Sequence, residues 1–354
     1  MSVGLREMVC RLNLGAPNFD KAAENVGRAA QLNLSGEFLR QIVESEGKAV
    51  QAVAQAGTLP VDWKAKECPA FDHQQQPTER SRVYLGSDGV MVPHVTDTEK
   101  QTRRTRVKAK RRRCGQKRRA LPRMRAGADQ GYKEFKIVTL YDDASTHRLV
   151  SVTRGNCEQA GRLMRRDAGR VGLDDADDAV GVVDGSEWIT NQIGKQSVPL
   201  DDVGLDFYHL SENVHKARRV VHGEEDPKDE KAPGNVWACG VLHTAKHEGY
   251  EPLRAQLQQW EEGLRGASQK KAGALLLNYV MDRKEMIQYP KFLALGRSIG
   301  SGPTESMCKA TTQRIKGRGR RWDGDNAESV MSLEALEQSG AWSAYWKFLL
   351  SNAA

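Results

Sequence analysis

The chain has 354 residues, 39% of them hydrophobic, and a formal net charge of +8, which suits a globular protein of two or three domains. No apolar run approaches the ~20 residues of a membrane span, and MSVGLREMVC at the N-terminus lacks the apolar stretch of a secretory signal, so the expectation is a cytoplasmic protein with no membrane partner. Six scattered cysteines without a CxxC pair argue against a disulfide framework or a zinc knuckle.

Residues 1–78 read as helical. DKAAENVGRAAQ and GEFLRQIVESEG are amphipathic segments separated by LNLS, and Ser35 suits the N-cap of the second. The spacing is that of a helix-turn-helix. The second helix, however, sets Glu37, Glu44 and Glu46 against Arg40 and Lys48, a poor match to DNA, so a helical packing or dimerisation module fits equally well. GTLPVDW and the polar DHQQQPTERS read as linker, and RVYLGSDGVMVPHV (82–95) is β-rich.

Residues 100–125 hold fourteen Lys or Arg and no acid, leaving the rest of the chain at a net −6. A run this dense repels itself unless a polyanion neutralises it. Nucleic acid is therefore the natural partner, with Arg111, Arg112, Arg113, Lys117, Arg118 and Arg119 as candidate contacts. A disordered basic loop is the alternative.

EFKIVTLYDD (134–143) and HRLVSVTRG (147–155) predict a hairpin, and CEQAGRLMRRDAGRVG (157–172) a helix. AVGVVDGSEWI (179–189) reads as a continuous apolar strand ending on Asp184, and GLDFYHL (204–210) as a second of that type. This order predicts a mixed α/β sheet, antiparallel in its first strands and parallel in its later ones. From residue 211 to about 289 the pattern is helical and charged, as in an inserted subdomain. Within it Cys239, His243 and His247 recur at i, i+4 and i+8, one ligand short of a closed zinc site, and read as an incidental polar stripe. The expected organisation is a helical module at 1–78, a sheet-bearing core at 79–210 carrying a basic insertion at 98–130, a helical insertion at 211–296, and a C-terminal part at 297–354.

Three acids stand out by position. Asp88 lies within the first long strand, Asp184 at the carboxyl end of an apolar strand, where ligands of parallel sheets gather, and Glu305 at the start of a late helix. Carboxylates converging from separate elements are what a hard divalent cation needs. Each has a plainer reading. Asp-Gly is a common turn dipeptide, and with Gly302 as N-cap and Pro303 at the first helical position Glu305 becomes an ordinary first-turn acid. Lys309, Thr312 and Lys316 follow Glu305 along one helical face, and Arg314, Arg318, Arg320 and Arg321 add positive charge around it, a track suited to a phosphate backbone. Trp322 offers either a stacking surface or a core anchor. His209 either orients a water or phosphate or is a packed structural histidine.

Taken in this order and at these separations, VYLGSDG, VVDGSEWI, DFYHLSENVHKA and SIGSGPTESMCKATTQRIKGRGRRW resemble a DDE transposase of bacterial insertion sequences, most closely the ISKra-type group, over roughly residues 80–335. The last motif is the most specific. The resemblance implies an RNase H-like catalytic core, Asp88, Asp184 and Glu305 as the triad, and two Mg²⁺ or Mn²⁺ ions per active site. It also implies a helical insertion before the last catalytic residue and a homodimer or larger synaptic assembly on transposon ends and target DNA, in the nucleoid of a bacterial cytoplasm. The basic stretch departs from the pattern, being longer than the strand connection requires. An RNase H-like nuclease without strand transfer, and a DNA-binding remnant without catalysis, are the rival readings.

Overall fold

The computed structural model describes residues 1–117, 120, 129–317 and 319–351. Three helices open it, α1 (Val3–Leu14), α2 (Phe19–Ala30) and α3 (Gly36–Gln55), and their N-termini are capped by Ser2, Asn18 and Ser35. The Ser35 hydroxyl accepts from the Phe38 amide at 3.2 Å, satisfying one of the donors that a helix start leaves open. A two-stranded ribbon, β1 (Pro69–Phe71) and β2 (Pro77–Ser81), leads into the long strand β3 (Val83–Pro93).

The first part of the basic run lies in a helix, α4 (Asp97–Arg113), with none of the helix residues buried. Next come β4 (Tyr132–Asp142), β5 (Arg148–Thr153), α5 (Cys157–Val171), β6 (Ala179–Val183), α6 (Glu187–Lys195) and β7 (Asp202–Leu205). GLDFYHL is not one strand. β7 stops at Leu205, and Asp206 caps α7 (Phe207–His222), accepting from the Tyr208 amide at 2.6 Å. Helices α8 (Pro233–His247), α9 (Tyr250–Gly263), α10 (Ala267–Met281) and α11 (Tyr289–Ala294) fill the expected helical stretch, and α12 (Gly302–Gln313), α13 (Gly324–Gln338) and α14 (Trp342–Ser351) close the described chain.

The sheet has the order β5-β4-β3-β6-β7, with β4 antiparallel to both β5 and β3, and β6 and β7 parallel to β3. This is an RNase H-like mixed sheet with helices on both faces. Strand alternation divides its residues. Tyr84, Val90, Val92, Ile137, Val180 and Val182 pack with residues of α1–α3 and α12–α14, while Val83, Leu85, Val138, Leu140, Ala179 and Val183 pack with residues of α5–α10. On the first face α3 meets α13 so closely that a Cβ at Gly47 would lie 2.5 Å from the Ser329 carbonyl oxygen.

The amino ends of β3 and β6 are fastened by a buried ion network. Asp178 takes Arg82 Nε at 2.7 Å and Arg297 Nη2 at 2.6 Å, and Arg82 also reaches Asp143 at 2.9 Å and the Leu295 carbonyl at 2.7 Å. The network therefore fixes the segment that leads into α12.

Candidate active site

The proposed acids lie away from that network: Asp88 in the middle of β3 and Asp184 immediately after the carboxyl end of β6. In the parallel pair, Leu85 of β3 is opposite Gly181 of β6, and Asp88 and Asp184 each sit three residues beyond that pair. Asp88-Gly89 is no turn, because both residues continue the ladder, opposite Ile137 and Lys136 of β4. Asp184-Gly185 is one. The Asp184 carboxylate accepts from Ser186 N at 2.8 Å and Ser186 Oγ at 2.7 Å, while Gly185 takes a φ of +80°, a left-handed conformation that favours glycine.

Glu305 reaches this region because α12 lies directly on β3. A Cβ at Gly86 would stand 1.9 Å from Thr304 Oγ1 and 2.9 Å from Thr139 Oγ1, so only glycine permits the approach. The fully buried Thr139 hydroxyl is 3.1 Å from that of Thr304, knitting β4, β3 and α12 together. Asp88 is two residues along the same face from Gly86, and Asp88 and Glu305 line one open groove of about 590 Å³ together with Cys308, Lys309, Thr312 and Lys316. The helical face read from the sequence is thus assembled beside Asp88.

The start of α12 differs from expectation. Ser301, not Gly302, is its N-cap, and its side chain caps nothing. Asp206, fully buried, accepts from Ser301 N at 2.8 Å and from the Ser301 hydroxyl. The hydroxyl that would cap the helix is instead spent on joining α12 to the end of β7. Glu305 moves one position into the helix as a result, with its amide bonded to the Ser301 carbonyl at 3.0 Å.

Electrostatics tie the acids together. Burial raises the Asp88 carboxyl above its ordinary value, and the nearby charges of Asp184 and Glu305 push it further, against the Gly89 amide at 2.6 Å and the His209 imidazole. Burial, then the charges of Asp88 and Glu305, raise the Cys308 thiol well above its usual range. Among the described residues two clusters of metal-ligand type bring their atoms within 4.8 Å of one another: Asp206, His209 and Glu305, and, at the far end of the sheet, Cys68, Asp142 and His147. Neither Cys239, His243 and His247 nor the expected Asp88, Asp184 and Glu305 form such a cluster; of the three acids, Asp88 and Glu305 share the groove and Asp184 does not line it.

The basic residues separate into several environments. Lys309 and Lys316 are exposed in the groove. Arg314, expected to contact DNA, is buried. Its guanidinium lies 4.7 Å from the Phe19 ring centre and 5.6 Å from that of Trp322, bonds Asn13 Oδ1 at 3.3 Å, and is pushed down to about 10 by burial and by Arg320. Arg320 donates to the Arg314 carbonyl at 2.8 Å, and Arg321 to the His94 carbonyl at 3.0 Å and to Glu99. Trp322 is the core anchor, 8% exposed, with its indole N–H on the Ile315 carbonyl at 3.1 Å. Arg112, Arg113 and Lys117 are exposed and Arg111 is half-buried. Arg118, Arg119 and Arg318 lie outside the described residues. His209 is half-buried, with Nδ1 3.9 Å from Glu212.

Two neighbours escaped the sequence reading. Asp206 stands in a quoted motif but looks like any strand residue. Lys136 is buried, bonded to Glu134 at 2.6 Å with its ammonium 5.1 Å from the Trp188 ring centre, and a Lys inside the apolar run EFKIVTLYDD was its available signal.

No family model and no curated protein matches the chain. Among solved structures, the Drosophila P element transposase strand transfer complex is similar over 99% of this chain and 81% of that chain, with a TM-score of 0.32 and 9% identity.

Proposed function

We propose that this chain is a DDE transposase that cleaves DNA at transposon ends and joins the freed 3′-OH to target DNA, with Asp88, Asp184 and Glu305 as its catalytic carboxylates. The observation that supports the reading is that Asp88 in β3 and Asp184 just past the end of β6 each lie three residues beyond the parallel Leu85–Gly181 pair, with Glu305 carried to the Asp88 groove by a helix packed on Gly86.

The donor set fits a hard, oxygen-seeking cation. All three groups are carboxylates, and burial, with the added charges of Asp184 and Glu305, raises Asp88, a cost that bound positive charge relieves. Two Mg²⁺ or Mn²⁺ ions, held by Asp88, Asp184 and Glu305, would supply charge neutralisation at the scissile phosphate and an activated water. Asp206 and Ser301 fix the start of α12, and with it the position of Glu305. Lys309 and Lys316 present cations along the same groove, where they hold the flanking phosphates. His209 has a ring nitrogen within 4.8 Å of a Glu305 carboxylate oxygen, where it would orient a water or phosphate at the site. Two ends must be handled in one reaction, so the working form is a homodimer or larger synapse. No helix of the described chain is long and apolar enough to cross a membrane, and a bacterial nucleoid is the proposed setting.

The test is Mg²⁺-dependent cleavage and joining on a transposon-end duplex. Asp88→Asn, Asp184→Asn or Glu305→Gln should each lower cleavage by about 10³-fold or more, the scale of losing several kcal/mol of charge stabilisation, with DNA binding retained. Full cleavage by any one of them would overturn the triad. Cleavage without joined product would reassign the chain as a nuclease.

A further inference from the structure

The connection between β3 and β4 is far more than a link. Its helix α4 runs 17 residues, ~25 Å at the usual helical rise. Its first turn is tied down. Thr96 and Glu99 form a reciprocal capping box, Lys100 Nζ lies 2.6 Å from Asp323, Arg321 pairs with Glu99, and Thr98 Oγ1 bonds Asp129 at 2.8 Å. The acids of α4, Asp97 and Glu99, are confined to that turn. From Arg103 to Arg113 the sequence RRTRVKAKRRR carries eight cations and no acid, and none of these residues is buried. Arg103 and Arg104 also line an open groove of about 530 Å³ with Arg40, Lys100, Arg320 and Arg321.

A helix with no apolar face gains nothing from the core, and its cations at i, i+3 and i+4 repel one another. Such a helix needs an anionic surround to be stable. Its cylinder, ~10–12 Å across with side chains, matches the ~12 Å major groove of B-DNA. The deep, narrow major groove of A-form RNA excludes it, and a single strand offers no groove. We propose that α4 is a major-groove probe for duplex DNA. Anchored at its base on the loop after α12, it inserts residues 103–113 between the two phosphate backbones, while the Arg103–Arg104 side of the groove at its foot takes one of them. The choice of DNA as partner rests on the function proposed above; the mode of engagement rests on α4 itself.

Fluorescence anisotropy of the full chain in EDTA separates the two, because no cleavage is needed. Labelled DNA duplex, RNA duplex and single strand of one sequence are titrated from about 50 to 200 mM salt. The parent chain should prefer duplex DNA. Arg103→Gln with Arg104→Gln should lower the slope of log affinity against log salt by about 2. Ala109→Pro keeps every charge but breaks the helix, and should weaken duplex DNA binding about tenfold or more while leaving RNA and single-strand binding unchanged. Its melting temperature should match the parent, since α4 contributes nothing to the core. Equal binding of DNA and RNA duplexes, or an Ala109→Pro chain that binds duplex DNA like the parent, would overturn the proposal and leave α4 a phosphate-tracking arm. Absence of Mg²⁺-dependent cleavage with these binding results intact would count against the catalytic reading alone.

Discussion

Adding one methyl group at Gly86 tests how the site is held together. The new Cβ would lie 1.9 Å from Thr304 Oγ1, against an ordinary contact of ~3.5 Å, so α12 must retreat from β3 by roughly 1–2 Å. Overpacking of this kind costs about 1–3 kcal/mol of stability, which a chain this size survives. The effect on chemistry is larger, since a shift of about 1 Å at a reacting centre costs about 10²-fold in rate. Gly86→Ala should therefore cut single-turnover Mg²⁺-dependent cleavage about 10²-fold with duplex binding near that of the parent. Adding Thr304→Ala removes the nearest clashing atom and should recover part of the loss, though Thr139 Oγ1 at 2.9 Å limits the recovery. Parent-like cleavage by Gly86→Ala would refute the argument that the β3–α12 contact sets Glu305, and so would an equal loss in the single and double variants.

Asp178→Asn should cost about 3 kcal/mol or more in urea unfolding, because it leaves the buried Arg82 and Arg297 guanidiniums short of their shared counter-ion; a loss under about 1 kcal/mol would reduce the network to surface-pair strength. His94, 4% exposed with a buried Nε2 that finds no hydrogen-bond partner among the described residues, is lowered from 6.5 to about 4 by burial and then by Lys133. Its unfolded form binds the proton more readily, so stability present above pH 6.5 is lost as pH falls toward 4. The pH dependence of urea unfolding should flatten in that window in His94→Gln, and an unchanged slope would assign it to other groups.

The strands and the Glu305 face were legible for a local reason. Apolar runs broken by Asp-Gly and a 3.6-residue spacing are set by a few consecutive residues, and the structure places Lys309, Thr312 and Lys316 in the groove that this spacing implies. What stayed hidden depends on distant partners. Arg314 and Lys316 read alike in sequence, yet Arg314 is buried against Phe19 and Trp322. The start of α12 shifted because Ser301 bonds Asp206, 95 residues upstream. GLDFYHL reads as a strand until the buried Asp206 caps a helix there. The helix over the first part of the basic run, to Arg113, had a local signal after all, in the Thr96–Glu99 capping box at its start.

The packing of Gly47 against Ser329 has a bearing on synthesis. Helices α1 to α3 leave the ribosome well before α13, and the surface they are shaped to meet is made some 280 residues later, together with Trp342, whose indole bonds Glu7. Contacts of such long sequence separation form slowly. The opening helices therefore wait, with their apolar faces uncovered, until α13 and α14 emerge. A ribosome stalled before residue 324 should hold a nascent chain in which α1–α3 are readily cut by protease, and emergence of α13 and α14 should protect both groups of helices together.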